Sequence, residues 1–455
     1  MPMSTRERAA FAWCLGAAWV LVCAWCVAHG IRSHHDESDF AVFHRAGAAV
    51  RTGANIYAIG ANKYNYPPLL AVVLSPLSRL PLKDAATAWS VLLGLLLLIL
   101  PWITARTMIA RLAPEALRRA PESPRGPLWR RLVASLRAPA PPDGATCVSL
   151  AVLGSLPLVE CFKRELEWGN SNLPAILGTV LALRWLDRRP LACGMCLGLV
   201  FCLKYASAPM LLYLVVRNRG RPVLGAVLGL TLGLLGPALV LGWDRNLEYL
   251  GTAFGGMAAW FGAEPASTSG LWPLTWEYSL SVPSAVARWQ EHLRAPPWAL
   301  WVGVGAIAAA WVGLCAVPYV RSATPLLRFR SGENAAASRA GLVALEWAVL
   351  TGALVAFSPQ TLQRHLNLLL PLTVFAAAML LMRPAGTRVW LLATGLVVLV
   401  AGATMPPTGG GLREAVHWWR EAGGMGFSVL AATWLVVAGS VPALGGPRGA
   451  PPRVA

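Results

Sequence analysis

The sequence predicts an all-α integral membrane protein, built as a single multi-spanning helical bundle over residues 1–455. Hydrophobic residues make up 56% of the chain and charged residues 13%, whereas soluble domains average roughly 45–50% and roughly 25%. Apolar blocks of roughly 15–25 residues recur from end to end, which is the pattern of membrane-spanning helices. Several of the 21 Trp stand at the ends of these blocks, where amphipathic rings favour the headgroup level.

About twelve membrane helices are predicted, within a range of about ten to thirteen. We place them at residues 11–29, 85–110, 147–161, 171–186, 190–203, 205–216, 222–242, 298–318, 341–357, 365–382, 387–404 and 425–442. Several are shorter than the roughly 17 residues that cross a bilayer, so tilted or re-entrant helices, or one long helix over 190–216, are alternatives. The segment 66–80 is predicted to be an interfacial or re-entrant helix, because counting it as a span would place the Arg-rich segment 111–140 outside.

The net charge of +18 indicates how these helices are oriented. If the N-terminus is cytoplasmic, the cytoplasmic segments and adjoining helix ends hold 24 of the 39 Lys and Arg but only 6 Asp and Glu, whereas the outer segments hold 15 and 14. Because an excess of Lys and Arg on the cytoplasmic side orients membrane helices, we predict a cell-membrane protein, in the inner or plasma membrane, with both termini inside. The charge is weak evidence for a nucleic-acid partner, and none is expected.

No soluble catalytic domain is visible between the apolar blocks. The cytoplasmic loop 111–145 is basic and Pro-rich, and it is expected to be flexible, as are the segment 321–339 and the tail 443–455. The outer loops 30–84 and 243–297 are long and rich in aromatic and polar residues, so we expect them to form the active-site face. The first apolar block lacks a small-residue cleavage site and is predicted to be a signal anchor.

A metal centre is not expected. All nine Cys lie in or beside apolar blocks, and the CxxC pair Cys193 and Cys196 falls within a predicted helix, so we interpret them as small buried hydrophobic residues. His34 and His35 are adjacent in one short segment and cannot readily converge on one ion. We therefore assign them to a solvated loop.

The most informative outer segment leads into Asp39, just beyond the first predicted span. Asp39 begins a helix-like run, DFAVFHRAGAAVRTG, that Gly53 would end. A carboxylate fixed at a helix start on the membrane surface can take the proton from an attacking hydroxyl group. The alternative is that Asp39 only caps the helix.

Aromatic and amide side chains that suit sugar recognition lie in the same outer region. Tyr57 and Tyr66 belong to the first outer loop, and Asn170 and Asn172 stand at a predicted outer helix start. The amides could bond sugar hydroxyl groups. The alternatives are helix capping for the Asn residues and an ordinary loop for the Tyr residues.

Cationic and titratable side chains also fall on the outer side. Lys204 separates two apolar blocks, and an ionisable residue at membrane depth is a functional candidate, with snorkelling as the alternative. Arg364 and His365 lie in a short outer link and could donate hydrogen bonds to a phosphate, with a plain polar turn as the alternative. The acid, the amides and the cations are thus all predicted to lie on one face of the membrane. Unrelated polar loops would not be expected to place a base and phosphate ligands on the same face.

The order of these motifs resembles glycosyltransferase family 87, whose known members include polyprenyl-phosphate-mannose-dependent alpha-mannosyltransferases. The resemblance covers residues of about 35–370, and its first block is fairly specific. It rests on Asp39-Phe40 to Gly47, Asn55-Ile56-Tyr57, the YPPL segment at Tyr66–Leu69, Gly169 to Asn172, Arg188-Arg189, Gly194, Gly198, Lys204, and Ser358-Pro359 with His365. It implies a GT-C-like membrane fold and an outer-loop aspartate, Asp39 here, that acts as the base.

Three features depart from the family pattern. Asn170 stands where Gln is usual, and the Pro that follows Lys204 comes later than in the family. The Asn-Gln-Ser segment of the large outer loop has no clear match, and Ser267–Ser269 and Ser279-Leu280 are the nearest. These differences concern the sugar and the acceptor more than the reaction class.

We therefore predict a hexosyltransferase that moves a sugar, mannose by the resemblance, from a polyprenyl-phosphate carrier to a lipid-linked or cell-envelope glycan on the outer face, with inversion. The lipid-linked donor is the only cofactor-like group expected, and the partners are the acceptor glycolipid or glycan and membrane lipids. Asp39 is the predicted base, and the predicted donor-binding residues are Lys204, Arg364, His365, Asn170, Asn172, Tyr57 and Tyr66. The alternatives are a transporter or flippase, for which Glu346 is the chief polar group within a span, and a carrier-binding scaffold without activity.

Overall fold

A computed structural model describes residues 5–33, 36–59, 64–116, 144–259, 272–322, 324, 336–384, 386–404 and 411–445. These residues form helices and connecting turns, and none of them lies in a β-strand. Several predicted features lie outside the described residues: His34 and His35, Ser267–Ser269, most of the loop 111–145, most of the segment 321–339 and most of the tail 443–455.

The α-helices of the described residues are numbered in chain order. They are α1 Thr5–Arg32, α2 Asp39–Thr52, α3 Pro68–Leu74, α4 Leu82–Ala116, α5 Gly144–Ser155, α6 Val159–Trp168, α7 Asn172–Trp185, α8 Pro190–Leu203, α9 Ala208–Val216, α10 Gly220–Leu235, α11 Ala238–Leu241, α12 Trp243–Ala259, α13 Val282–His292, α14 Trp298–Arg321, α15 Ala336–Phe357, α16 Leu370–Met382, α17 Val389–Leu399, α18 Gly411–Glu421 and α19 Gly424–Gly445. Short 3-10 segments lie at Leu77–Arg79, Leu156–Leu158, Tyr205–Ser207 and Gln363–Leu369, and a π-helical turn lies at Val400–Thr404.

Eight helical segments of the described chain are long and apolar enough to cross a membrane, which confirms the prediction of an all-helical membrane protein. They are Arg6–Arg32, Leu82–Leu112, Gly144–Trp168, Gly220–Leu241, Trp298–Arg321, Ala340–Phe357, Gln363–Met382 and Gly424–Leu444. The other four predicted spans also coincide with helical segments, but these are shorter, at Asn172–Trp185, Pro190–Leu203, Tyr205–Val216 and Val389–Thr404.

Two local predictions can be compared directly with the structure. The helical segment at the predicted span 147–161 extends beyond that span to Trp168, and polar residues of the extension form ion pairs, among them Lys163 with Glu160 at 2.7 Å. The stretch 190–216 forms two helices rather than one, because Lys204 adopts extended backbone (φ −163, ψ 126) between them. Lys204 is thereby placed at a helix end.

Helices α8 and α10 pack with their backbones in direct contact. A Cβ atom on Gly225 would lie 2.1 Å from the carbonyl oxygen of Leu191, and one on Gly229 would lie 2.2 Å from that of Met195. Only glycine permits helices to approach so closely, and such small-residue interfaces are typical of membrane helices. Because α8 ends next to Lys204, this contact determines where the lysine stands.

Helix α4 extends from one end of the helical bundle to the other. Trp89 and Arg111 are 22 positions apart on this helix, which at about 1.5 Å per residue separates them by about 33 Å. That length is comparable with the roughly 30 Å hydrocarbon layer of a bilayer. At the far end, Arg111 donates to Asp187 at 2.5 Å and to the carbonyl oxygen of Leu183 at 2.6 Å.

Glu346 is held at the same end as Arg111. Its carboxylate pairs with Arg217 and accepts a hydrogen bond from the Tyr213 hydroxyl at 2.7 Å. Arg219, two residues from Arg217, lies 3.6 Å from the carboxylate of Asp187. Burial of Glu346 is therefore compensated by a cation and a hydroxyl, as buried carboxylates require.

The contact between α8 and α10 is tested by Gly225→Ala, with Gly305→Ala as the matched control. A methyl group at position 225 has to displace backbone atoms, so we expect the free energy of unfolding to fall by about 1–3 kcal/mol. A Cβ atom on Gly305 meets nothing within 4 Å, so the free energy of unfolding of the control should rise by about 0.5–1 kcal/mol, because alanine favours a helix more than glycine does. Denaturant unfolding in micelles measures both, and equal stability of the two variants would contradict the packing described.

Candidate active site

Asp39 is the first residue of α2, as the sequence predicts, but it is not the cap. The hydroxyl oxygen of Ser38 accepts the Ala41 N–H at 3.2 Å and caps the helix, and Gly53 ends it in the left-handed conformation (φ 73). Since Ser38 satisfies the helix start, the carboxylate of Asp39 is left to bind other groups. Its side chain is 23% exposed, so it is accessible from solvent.

Two side chains from distant parts of the chain contact the Asp39 carboxylate. Arg364 donates from Nη2 to Oδ1 at 3.1 Å, and its Nε lies 2.7 Å from Oδ2. Asn170 donates from Nδ2 to Oδ2 at 2.6 Å. The carboxylate is therefore held from two sides, by a charge and by a neutral amide.

Lys204 determines which way the Asn170 amide points. The buried ammonium group of Lys204 donates to Oδ1 of Asn170 at 2.5 Å, and the backbone N–H of Ser171 donates to the same oxygen at 2.6 Å. An ammonium group offers only donors, so Asn170 must present its oxygen to Lys204 and its NH₂ group to Asp39. The amide thus connects the lysine to the carboxylate through hydrogen bonds of defined polarity.

Gly169 brings the turn that carries Asn170 against the start of α2. Its backbone is left-handed (φ +62), and a Cβ atom there would lie 2.6 Å from the Cβ of Phe40. The indole N–H of Trp89 donates to the carbonyl oxygen of Gly169 at 2.9 Å. Glycine is required by both the conformation and the space, which explains how Asn170 reaches Asp39.

Glu165 is a polar residue of this site that sequence reasoning missed. Its fully buried carboxylate accepts the backbone N–H of Asn172 on Oε1 and the Asn172 Nδ2 on Oε2, both at 2.7 Å. The Leu173 N–H also points to Oε1, at 3.4 Å. These N–H groups belong to the first turn of α7, so Glu165 caps that helix from α6 and steadies the turn with Asn170. An acid seven residues before a helix start was the available signal, but it lay beyond the predicted span 147–161.

Arg364 is positioned by contacts on both sides of its segment. Its guanidinium carbon lies 4.7 Å from the centre of the Trp168 ring, and its carbonyl oxygen accepts the Asn172 Nδ2 at 3.2 Å. The preceding residues are tied to the segment before α13, because the backbone N–H of Leu280 donates to the carbonyl oxygen of Thr361 at 2.6 Å. The guanidinium is therefore pre-oriented toward Asp39.

His365 and Asn172 are less available than the sequence suggests. The Nδ1 of His365 accepts the backbone N–H of Leu362 at 3.2 Å, which leaves Nε2 as the ring nitrogen that can donate. The NH₂ group of Asn172 is used by Glu165 and by the Arg364 carbonyl group. Both residues thus hydrogen-bond to the backbone of the segment that carries Arg364, and in this way they hold that segment in place.

The two predicted Tyr residues have different surroundings. Tyr57 is buried and donates to the carbonyl oxygen of Tyr66 at 2.8 Å, so it holds the Tyr66 segment from behind. Tyr66 lies with its ring centre 5.8 Å from the Lys204 Nζ. Burial and the nearby Asp39 carboxylate raise the pKa of the Tyr66 phenol, so it stays a neutral donor.

The structure thus brings four of the predicted residues into one network: Asp39, Asn170, Lys204 and Arg364. The described residues contain one group with the spacing of metal ligands, formed by Glu277, His417 and Glu421 within 4.8 Å of one another. None of these three is a residue of the Asp39 network.

The model of glycosyltransferase family 87 matches residues 64–336, more than half of the chain, so the chain belongs to this family and is a glycosyltransferase. The polyprenol-phosphate-mannose-dependent alpha-(1-2)-phosphatidylinositol mannoside mannosyltransferase of Mycobacterium tuberculosis is 25% identical over 398 residues, which cover 84% of this chain and 77% of that relative. No solved structure matches the chain significantly. The family resemblance of the motifs is confirmed, although the matched region begins after Asp39 and ends before Arg364.

The role of Glu165 as an anchor is tested by Glu165→Gln, with the exposed Glu248→Gln as the matched control. The amide offers one acceptor in place of two, so Asn172 loses a partner in a buried place. We expect a loss of about 1–3 kcal/mol in unfolding free energy, against about 0.5 kcal/mol or less for the control. Denaturant unfolding in micelles would refute the anchoring role if both variants were as stable as the wild type.

Proposed function

We propose that this family 87 enzyme transfers a hexose, mannose by analogy with its mycobacterial relative, from a polyprenyl-phosphate carrier to a hydroxyl group of a glycolipid or cell-envelope glycan. The observation that carries the proposal is the partly exposed carboxylate of Asp39, held between the cations Arg364 and Lys204 through Asn170. A base and two phosphate-binding cations are what such a transfer needs.

The two cations suit the phosphate of the donor. Arg364 offers a planar fork for phosphate oxygens, and Lys204 supplies a second, buried positive charge. A phosphate that binds Arg364 draws the guanidinium group away from Asp39, and a carboxylate without its cation is the stronger base. Binding of the donor thereby prepares Asp39 to accept a proton.

The proposed reaction is a single displacement with inversion at the anomeric carbon. The acceptor oxygen forms a bond to that carbon while its proton passes to Asp39. The bond from the anomeric carbon to the phosphate oxygen breaks, and its electron pair leaves with the lipid phosphate. Lys204 and Arg364 stabilise that charge, so a separate general acid is not required.

The proposed setting is a GT-C-like bundle of about twelve membrane helices, with the site on the outer face of the cell membrane. Helices occupy all twelve predicted positions, although four are short. The site end of α4 lies about 33 Å from Arg111 by helix rise. Arg219 lies on the Arg111 side, because both side chains lie close to the carboxylate of Asp187, and Lys and Arg are enriched on the cytoplasmic side of membrane proteins. A donor that arrives on a lipid carrier at the outer face fits this arrangement.

The transporter alternative rested chiefly on Glu346, and this carboxylate is paired with Arg217 and Tyr213. The scaffold alternative predicts that Asp39 is dispensable. No observation in the described chain favours either alternative over transfer.

Asp39→Asn is expected to reduce transfer by about two to four orders of magnitude, because the amide cannot take the proton. Ser38 still caps α2 in this variant, so the protein should fold and insert normally. Asp36→Asn and Glu37→Gln, which change exposed neighbours, should lose far less. The assay is transfer from polyprenyl-phosphate-mannose by purified protein, and near-normal activity of Asp39→Asn would rule out the catalytic assignment.

Lys204→Met is expected to weaken donor binding by about tenfold to a hundredfold, since a charge-assisted hydrogen bond contributes about 1.5–3 kcal/mol. Acceptor binding should stay near normal. Lys83→Met is the control, because Lys83 is exposed at the start of α4 on the same side as the site. Titration with the lipid donor decides: unchanged affinity in Lys204→Met would reduce the lysine to a packing role.

A further inference from the structure

An aromatic platform formed by Trp272, Trp276 and Tyr278 lies on the outer segment before α13. The rings of Trp272 and Trp276 are stacked at 4.9 Å between centroids and 11° between planes, and Tyr278 meets Trp276 edge-on at 5.6 Å. Trp272 and Tyr278 are each 50% exposed. Flat, half-exposed rings held by stacking present a face to a ligand rather than filling a core.

The platform is braced by Arg288 from α13. The guanidinium donates to the carbonyl oxygen of Trp276 at 3.0 Å, and on its other side to those of Arg420 and Glu421 at 3.2 and 3.0 Å. One side chain thus joins the platform to the end of α18. A surface held in this way loses little conformational entropy when it binds.

The platform is also continuous with the segment that carries Arg364. The side-chain amide of Gln360 donates to the carbonyl oxygens of Trp272 and Pro273, at 2.5 and 3.4 Å. The hydroxyl oxygen of Ser279 accepts the backbone N–H of Thr361 at 3.2 Å. The platform is therefore fixed to the segment 360–364, whose Arg364 contacts Asp39.

Polar groups beside the rings favour sugar over lipid. The side-chain ligand atoms of Glu277, His417 and Glu421 lie within 4.8 Å of one another. Glu277 stands between Trp276 and Tyr278 in the sequence, and His417 and Glu421 belong to α18. Glu421 lies 3.4 Å from His417, and the guanidinium carbon of Arg420 lies 5.8 Å from the centre of the Tyr278 ring, so charges of both signs border the platform. Such a border suits an uncharged, hydroxyl-rich ligand rather than an anionic headgroup or an acyl chain. The carboxylates accept hydrogen bonds from hydroxyl groups, while an aromatic face covers the apolar side of a sugar ring.

We infer that Trp272, Trp276 and Tyr278 form a binding subsite for the neutral sugar units of the acceptor glycan. The inference rests on the proposed function, because it assigns the acceptor part of the same reaction. The subsite recognises sugars beyond the one that carries the attacking hydroxyl group, so it governs the preference for longer acceptors over simple ones.

The binding test uses the full chain in nanodiscs and a soluble α-linked mannotriose as the probe, with binding measured by saturation-transfer NMR. Trp272→Ala should weaken the affinity about tenfold, and Trp272→Phe, which keeps a ring, should weaken it less. Trp298→Ala is the control, since Trp298 is 67% exposed at the start of α14, outside the platform. Equal affinity in Trp272→Ala and wild type would overturn the inference.

Two further measurements distinguish an aromatic sugar subsite from a cation site and from a different donor. In the transfer assay, Trp272→Ala should raise the KM for an oligomannoside acceptor about tenfold, with the KM for the donor and for a simple mannoside unchanged. Mannotriose binding that EDTA abolishes would overturn the inference and assign the site to a cation at Glu277, His417 and Glu421. Mannotriose binding by a wild type that cannot use polyprenyl-phosphate-mannose would refute the proposed donor and keep the subsite.

Discussion

The hydrogen bonds that join Lys204, Asn170 and Asp39 are the constraint on which the site depends. An ammonium group only donates, so the amide has one permitted orientation, and that orientation supplies a donor to the carboxylate. The three residues stand at the ends of different helices. The glycine contact between α8 and α10 positions Lys204, and the close approach of Gly169 to Phe40 positions Asn170. Both contacts therefore determine how the Asp39 carboxylate is held.

Charge balance explains how this network can be buried. Asp39 and Glu165 are matched in number by Lys204 and Arg364, and an unmatched charge at this depth would cost roughly several kcal/mol. Glu165 accepts hydrogen bonds from the backbone and side-chain N–H groups of Asn172, so its buried oxygens have partners. A donor phosphodiester adds one negative charge to a balanced site. In the proposed reaction the second negative charge that the leaving phosphate gains is offset by the proton that Asp39 takes from the acceptor.

The sequence predicted the helices better than the contacts. Hydropathy located all the long spans, and Asp39, Asn170, Lys204 and Arg364 were each predicted to lie at the site. Their pairing was not predictable, because periodicity and spacing carry no information on contacts between positions as distant as 39 and 364. Arg364 was assigned to a phosphate, whereas it binds Asp39 here. Glu165 was missed because it lies beyond the predicted span 147–161, on a polar stretch whose hydropathy does not reveal that the helix continues to Trp168.

The most direct test of the proposed catalytic site is the structure of the wild-type enzyme with a non-transferable phosphonate analogue of polyprenyl-phosphate-mannose, determined by electron cryomicroscopy. We expect the phosphonate to contact Lys204 and Arg364, Arg364 to have left Asp39, and the anomeric carbon to face the freed carboxylate. A phosphonate bound at the opposite end of the bundle, near Arg217 and Glu346, would contradict this mechanism, and so would an Arg364 that stays on Asp39 while the phosphonate binds elsewhere.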